Sequence, residues 1–540
     1  TRVRSSAASD VYKRQVLFST TSSAPQSTSL AVVEPRSAPP FTVQDQGTQI
    51  VVATSKLHAT VDKTSGQVTF VTPSGSTILA EAPQGGGHVL TPTSDGPGPF
   101  MSTGTFTPNG GESYYGLGQH LQTQTGNMAY KGSVQLMQKN PGESAVPLLV
   151  SSAGYGILWD NPSITTVKLS NQIAISSQVA NTVDYYFLGG PDADGAVAEY
   201  RALTGPAPMF GRWALGYWQS RDHYGSQSEV LSVASQYRTR QVPIDNVVQD
   251  WQYWGSNPWG SHTFDSNYPD PAGMFAMLHQ TGFHAMISVW GRFASGSANF
   301  DALKAGNDFI TPMLSDGMTY YYDPFKADGR NLYWQQMNTD LFAKGVDGWW
   351  LDATEPELNQ PPNWGEFGNF QTGAGQGAIV YNAYPLMTTT AVHDGQRATT
   401  DQKRVFILTR SAYAGQQRNA AVTWSGDISG DWGTFKNQIP RSVSTFPSAA
   451  FRTGRRTSAA TFSPTWAIPR SRGTRSSSSA GSSSAGSVRY SVRTEPAPTG
   501  SSGRSAPPRH RYCRASTSCA TGCCRTSIRC PGWSPVRRTR

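Results

Sequence analysis

The stretch GVDGWWLDATEPE, Gly345 to Glu357, decides the fold. Its first half is a short apolar run, too short for a helix, and it stops on a carboxylate, Asp352. Three other runs share the pattern. VPIDNVVQDWQYW (Val242 to Trp254) stops at Asp250, RVFILTRS (Arg404 to Ser411) stops at Arg410, and HAMISVW runs from His284 to Trp290. AVTWSGDIS, from Ala421, places Asp427 shortly after a similar run. Between these runs lie helix-like stretches such as SQSEVLSVASQYRTRQ (Ser226 to Gln241), where Val230, Val233, Ala234 and Tyr237 recur at helical spacing. Strand and helix in repeated alternation predict a parallel sheet, and the length favours a (β/α)8 barrel, whose chemistry sits at the strand C-terminal ends.

Upstream, from about residue 41 to 205, the language is different. Short alternating runs such as TQIVVAT, QVTFVT, ITTVKLS and DYYFLGG, rich in Thr, Val and Gly, predict a β-sandwich ahead of the barrel. YYGLGQH (Tyr114 to His120) lies inside it. The barrel occupies 206–440.

The net charge of +9 is split along the chain. Residues 441–540 hold 18 Arg, no Lys and one acidic residue, Glu495; the first 440 residues hold 26 basic and 34 acidic side chains. The basic excess therefore belongs to the tail and argues against a nucleic-acid surface on the folded part. All five cysteines, Cys513, Cys519, Cys523, Cys524 and Cys530, lie there too, with only His510 near and no paired spacing for a zinc module.

A one-base slip in a GC-rich gene explains this tail. Back-translating RTGRRTSAATF (Arg452 to Phe462) and reading one base earlier permits PYWTSDIGGYF, and two later stretches also become readable protein. The slip falls between Ile439 and Phe446. The visible tail lacks any helix or strand period and is expected to be disordered, leaving a barrel that stops after about the sixth strand. The opening residues 1–15 read as adaptor-like and are set aside from the fold; 16–40 read as the remnant of a secretory signal or linker, which leaves a secreted or periplasmic location open. No apolar stretch is long enough for a membrane span, so a soluble chain is expected.

Carboxylates at strand ends, flanked by indole rings, suit glycoside cleavage, which needs two carboxyl groups on opposite sides of the anomeric carbon and flat apolar platforms for the sugar. Trp251, Trp254, Trp290, Trp349, Trp350 and Trp424 are the candidate platforms. Taken singly, each Asp could equally cap a helix or pair with an Arg.

WLDATEPE (Trp350 to Glu357) resembles the nucleophile signature of glycoside hydrolase family 31, and RSAYAGQQRNAAVTWSGD (Arg410 to Asp427) is similar to its acid/base segment. RWALGYWQSRDHYGSQSEV (Arg212 to Val230), VPIDNVVQDWQYW and YYGLGQH resemble further motifs of that family in the same order. The resemblance covers roughly 41–439. It implies Asp352 as nucleophile and Asp427 as acid, then base, with retention of configuration and the two carboxyl groups ~5 to 5.5 Å apart. Asp427 is then expected in surroundings that raise its pKa. The resemblance further implies that Asp250 and Arg410 bind sugar hydroxyls and that Trp290, Trp350 and Trp424 shape the pocket, while Glu355 either supports Asp352 or begins a helix.

It implies an oligosaccharide as partner and no metal or other cofactor; His223, His262 and His284 read as surface or strand-end residues rather than ligands. Motif flavour favours an α-xylosidase of xyloglucan-type oligosaccharides. An α-glucosidase or α-transglucosylase is the neighbouring reading, and an inactive carbohydrate-binding protein is the rival from another class. The visible chain, lacking the last two strands, is expected to be inactive.

Overall fold

A computed structural model of the chain describes residues 12–20, 29–33, 40–83, 87–93, 100–120, 132–136, 143–356, 370–424, 426–427, 431–432, 514–520 and 523–529. The N-terminal half is a sandwich of two antiparallel sheets. One has five strands in the order Lys13–Phe18, Val183–Gly189, Tyr155–Trp159, Ser144–Ser151, Tyr114–Gln119; the other has ten, running from Gly132–Leu136 at one edge to Thr42–Asp45 at the other. Alternation along the strands puts one face of each sheet inside. Phe70 and Phe106 from the larger sheet thereby meet Tyr185, Phe187 and Ile157 from the smaller, with Phe70 and Phe187 stacked at 4.1 Å between ring centroids. Each such buried side chain contributes about 1.5–3 kcal/mol.

Setting aside residues 1–15 is corrected at its C-terminal end. Lys13–Phe18 pairs antiparallel with Val183–Gly189, Val16 is fully buried, Lys13 forms a buried ion pair with Glu199 at 3.0 Å, and Arg14 donates to Leu57 O. The alternation of KRQVLF is too brief to be distinguished from chance in the sequence, and the pairing partner lies some 170 residues away.

The second half holds a parallel six-stranded sheet in the order Trp218–Gln219, Asn246–Gln249, His284–Trp290, Gly348–Asp352, Ile407–Thr409, Ala421–Thr423. These are six strands of the expected barrel, in chain order, with helices Gln227–Thr239, Pro271–Gln280, Ala327–Asp340 and Tyr384–Thr399 among the connections. Helix starts follow from the sequence: Ser226 caps Glu229 N–H, and Asp270 caps Gly273 N–H with Pro271 in the first turn.

Below the strand ends, faces alternate. Even-numbered residues point into the barrel, where Trp218, Val248, Met286, Trp350, Phe406 and Leu408 form one cluster. Odd-numbered Val247, Ile287, Trp349, Leu351 and Ile407 pack outward with Val230, Phe275 and Leu278 of the helices. Trp349 is thus core rather than a platform near the carboxylates: its indole N–H donates to Gln396 Oε1 at 2.9 Å and its ring meets Trp334. Its neighbour Trp350, one residue on, faces inward.

The sandwich fixes one rim of this sheet. Tyr200, from the helix Ala193–Thr204, donates to Gln417 Oε1 and accepts from Gly415 N–H, Gln417 donates to Thr204 Oγ1 at 2.8 Å, and Gln119 of YYGLGQH donates to Trp424 O at 3.4 Å. At the opposite end of the strands, Asp347 gathers Ala285 N–H, His279 and Lys403 at 2.7 to 3.0 Å, with His284 at 3.5 Å, and so ties the starts of three strands together. Of residues 471–540, only a hairpin, Arg514–Ala520 with Cys523–Arg529, is described, an element that the sequence pattern does not announce. The remainder of the expected disordered tail lies outside the described residues. Among the described residues, no helix is long and apolar enough to cross a membrane.

Candidate active site

Strand register places the sequence-predicted residues. Trp290 is the partner of Asp352, and Leu351, Thr409 and Thr423 are partners one step earlier. Continuing one residue puts Trp290, Asp352, Arg410 and Trp424 on a single rung at the C-terminal ends of four neighbouring strands. All four are even-numbered; Trp424 packs into the inner apolar layer, while Trp290, at its strand end, joins the larger cluster that includes the helices. Asp250 follows directly on Gln249 at the end of the second strand, also on the inward parity.

Asp352 is 3% exposed. Its Oδ1 accepts the N–H of Ala353 at 2.8 Å and lies 3.3 Å from Arg410 Nη1. Ala353 holds φ +51°, a left-handed conformation uncommon outside glycine. Thr354 secures the turn through hydroxyl contacts to Thr409 at 2.7 Å and Ser411 at 3.4 Å. The strained turn brings the following carboxylate back: Glu355 Oε1 lies 2.5 Å from Arg410 Nη2, an ion pair buried on both sides. One buried guanidinium therefore serves two buried carboxylates. Burial pushes the Glu355 carboxyl above its ordinary range, Arg410 pulls it back, and the charge of Asp352 pushes it up again. Glu355 thus shares its guanidinium partner with Asp352, and the helix that the other reading would have it begin lies outside the described residues.

The remaining candidates fall around this centre. Asp250 is buried and its Oδ1 accepts Trp251 N–H at 2.8 Å. Trp350 and Trp424, both buried, meet edge to face at 5.2 Å. Trp290 is boxed by Trp254 and Trp259 at 5.4 and 5.1 Å, each nearly perpendicular to it. Trp251 is half-buried, with its indole N–H on Asp222 Oδ1. Asp427 lies three residues beyond Trp424 with an exposed side chain.

Two histidines depart from or refine their reading. His262, expected at the surface or a strand end, is buried between Phe293 and Tyr333, where burial drives its pKa down to about 4. His284 does begin a strand, where it stacks on Trp213 at 4.8 Å. Among the described residues, no group of three or more His, Cys, Asp or Glu could hold a metal ion. Sequence reasoning missed Arg292 and Asp316, which form a buried ion pair at 2.7 Å beside the tryptophan box. Thr354 was missed also, although its place between two acids of DATE was a usable signal.

Comparison with known proteins gives two family matches. Residues 207–449 match the glycosyl hydrolases family 31 TIM-barrel domain, and 2–167 match the glycosyl hydrolase 31 N-terminal galactose mutarotase-like domain. An α-xylosidase of Saccharolobus solfataricus is 40% identical over 340 residues, covering 61% of this chain and 45% of its own length. An uncharacterised family 31 glucosidase of Pseudescherichia vulneris is 32% identical over 355 residues, covering 63% and 64%. The chain thus spans less than two thirds of either relative. Among solved structures, a GH31 α-xylosidase from Xanthomonas citri superposes with a TM-score of 0.76 at 28% identity, covering 82% of this chain and 65% of that one. A GH31 α-xylosidase from a soil metagenome, complexed with xylose, gives 0.74 at 26% identity, covering 81% and 67%.

Proposed function

The chain belongs to glycoside hydrolase family 31, and on that premise we propose that it is built as a retaining α-glycosidase that releases terminal α-xylose from xyloglucan-type oligosaccharides. One observation carries the reading: a buried carboxyl–guanidinium pair, Asp352 with Arg410, stands on one rung with Trp290 and Trp424 at the strand C-terminal ends of a family 31 barrel sheet. The relatives named α-xylosidase support xylose over glucose.

In this proposal, Asp352 attacks the anomeric carbon. The Ala353 N–H and Arg410 contact one of its oxygens, which orients the carboxylate for attack. Asp427 donates a proton to the leaving oxygen and then takes one from water, which reaches the ester from the leaving-group side and gives net retention. Asp250 and Arg410 accept and donate to the sugar hydroxyls, and Trp290, Trp350 and Trp424 wall the ring. The oligosaccharide is the partner, and no step calls for a cofactor.

The reading frame forms part of the proposal. The barrel match ends at residue 449, close to the inferred slip between Ile439 and Phe446, and the sheet carries six strands among the described residues. The intact gene is then an active enzyme and the present translation an inactive one.

The test expresses the present and frame-restored chains and assays 4-nitrophenyl α-xyloside and α-glucoside. Turnover of the xyloside by the restored chain, with α-xylose as the first anomer seen by proton NMR and a loss of at least about 10³-fold in Asp352→Asn, is expected. Equal activity from the present chain defeats the frame argument. A β anomer first, or an active Asp352→Asn variant, defeats the roles. Sugar binding without turnover in the restored chain makes it an inactive carbohydrate-binding protein.

A further inference from the structure

Two residues past Trp290, the chain forms a short strand, Arg292–Phe293, that pairs antiparallel with Tyr320–Tyr321. Just before Tyr320–Tyr321, a hairpin turn closed by the Ser315–Tyr320 bridge carries Met318 at its tip, 73% exposed. At its base Asp316 is almost fully buried and saturated. Its Oδ1 accepts the N–H groups of Met318 and Thr319 at 2.9 and 2.6 Å, and its Oδ2 accepts the Thr319 hydroxyl and Arg292 Nη1, each at 2.7 Å. A surface salt bridge contributes little to stability, but these side chains are 11% and 4% exposed and hydrogen-bonded on several sides.

The same guanidinium lies over the ring of Trp259, 4.4 Å from its centroid. Two backbone features place Trp259 here. Its carbonyl accepts Ala294 N–H at 2.9 Å, and at the next residue, Gly260 (φ +84°), a side chain would run into Arg292 O at 2.7 Å. Trp259 in turn stands edge-on to Trp290, the residue paired with Asp352. The contacts therefore form one line, from the hairpin base through Asp316, Arg292 and Trp259 to the indole wall beside the nucleophile.

We propose that Arg292, held by Asp316, is a positioning residue that sets the Trp259–Trp290 wall for the sugar ring, so that the Met318 hairpin and the sugar pocket act as one body. The proposal rests on the glycosidase reading for the identity of the ligand, but the brace itself does not. Arg292 touches the wall rather than the sugar. Its effect is on how tightly a monosaccharide is held and on the environment of two indoles, more than on the bond-breaking step.

The test uses the full chain with Arg292→Gln, Arg292→Lys and Asp316→Asn, reading near-ultraviolet circular dichroism of the tryptophans, the quenching of tryptophan fluorescence by free xylose, and the urea unfolding midpoint. Arg292→Gln is expected to change the tryptophan dichroism and weaken xylose binding about tenfold, with Asp316→Asn moving both in the same direction. Arg292→Lys keeps a charge for Asp316 but loses the guanidinium over Trp259, so it restores the unfolding midpoint and not the dichroism. Unchanged dichroism with xylose affinity within twofold of wild type, alongside a lowered midpoint, overturns the proposal by making the pair a plain structural bridge. Absence of any xylose response in the wild-type chain overturns the binding half of the proposal. The dichroism of the variants then still decides the brace.

Discussion

Replacing Arg410 with Met tests the buried charge arrangement directly. Its guanidinium stands between Asp352 at 3.3 Å and Glu355 at 2.5 Å, with the three side chains 2 to 3% exposed. At an effective dielectric of about 20, a pair at ~4 Å is worth about 4 kcal/mol before desolvation, and removing one partner of a buried pair costs about 3–5 kcal/mol. Met fills much of the space of Arg, so the loss is electrostatic rather than a cavity. Two carboxylates then share a site from which water is excluded, and one of them must take up a proton.

Glu355 is the one placed to do so, because burial and the Asp352 charge already raise its pKa and Arg410 is what lowers it. With a folded pKa above the unfolded value of about 4.3, the native state binds more protons than the unfolded chain, so stability falls as pH rises from that value through the folded pKa. Removing Arg410 widens this window upward. Urea unfolding followed by tryptophan fluorescence is therefore expected to show a loss of about 3–5 kcal/mol at pH 8 and a smaller loss at pH 5. Adding Glu355→Gln to Arg410→Met removes the second buried charge and recovers about 1–3 kcal/mol at pH 8. A loss below about 1 kcal/mol at pH 8, a larger loss at pH 5, or no recovery on adding Glu355→Gln refutes the reasoning.

Asp347→Asn, at the other end of the strands, removes a carboxylate held well below its usual range by His284, Lys403, Ala285 N–H and His279 against the opposing effect of its burial. A depressed folded pKa gives stability that is present above about pH 3.9 and lost as pH falls below it, so the variant loses about 1–3 kcal/mol at pH 7 and the difference from wild type shrinks by pH 3, both read by urea unfolding. Gly118→Ala puts a Cβ 2.0 Å from Ser144 O at φ +90°, and its unfolding midpoint is expected to fall by the equivalent of about 1–3 kcal/mol; an unchanged midpoint would mean that the strand pair Tyr114–Gln119 and Ser144–Ser151 yields easily.

Where a side chain's place followed from the period of two, the sequence was readable. WWLD carries its inward and outward residues alternately, so once Gly348–Asp352 is a strand in a barrel, Asp352 and Trp350 must face in and Trp349 out. Treating every nearby indole as a platform ignored that parity, which is why Trp349 was misplaced. Asp250 and Arg410 were legible for the same reason as Asp352: a charged residue directly after an apolar strand has no place in the layer below. Contacts made across long loops left no such trace. Arg292 and Asp316 are 24 residues apart, with the helix Ala298–Ala305 between them, and nothing in GRF or LSDG marks them as partners. His262 was invisible because its burial comes from Phe293 and Tyr333, each distant in sequence.

The six strands also show how far the barrel is determined before its last two. Trp218 on the first strand and Phe406 beside the fifth meet edge to face at 5.2 Å, and Phe406 is touched as well by Phe210 and Trp213, from the segment leading into the first strand. A flat sheet would hold strands one and five about 19 Å apart at the usual strand spacing, so this contact requires the sheet to curl back on itself. Large side chains filling the interior below the site therefore hold the six described strands in this curl. That separates two tasks along each strand. The aromatic layer underneath fixes the curl and contributes the stability, while the rung above, with Asp352, Glu355 and Arg410 buried together, costs stability and holds the charged groups at a fixed spacing. A carboxylate can be kept in such surroundings only because the layer beneath it is already packed, and for that reason the acids appear at the last residue of the apolar run and not within it.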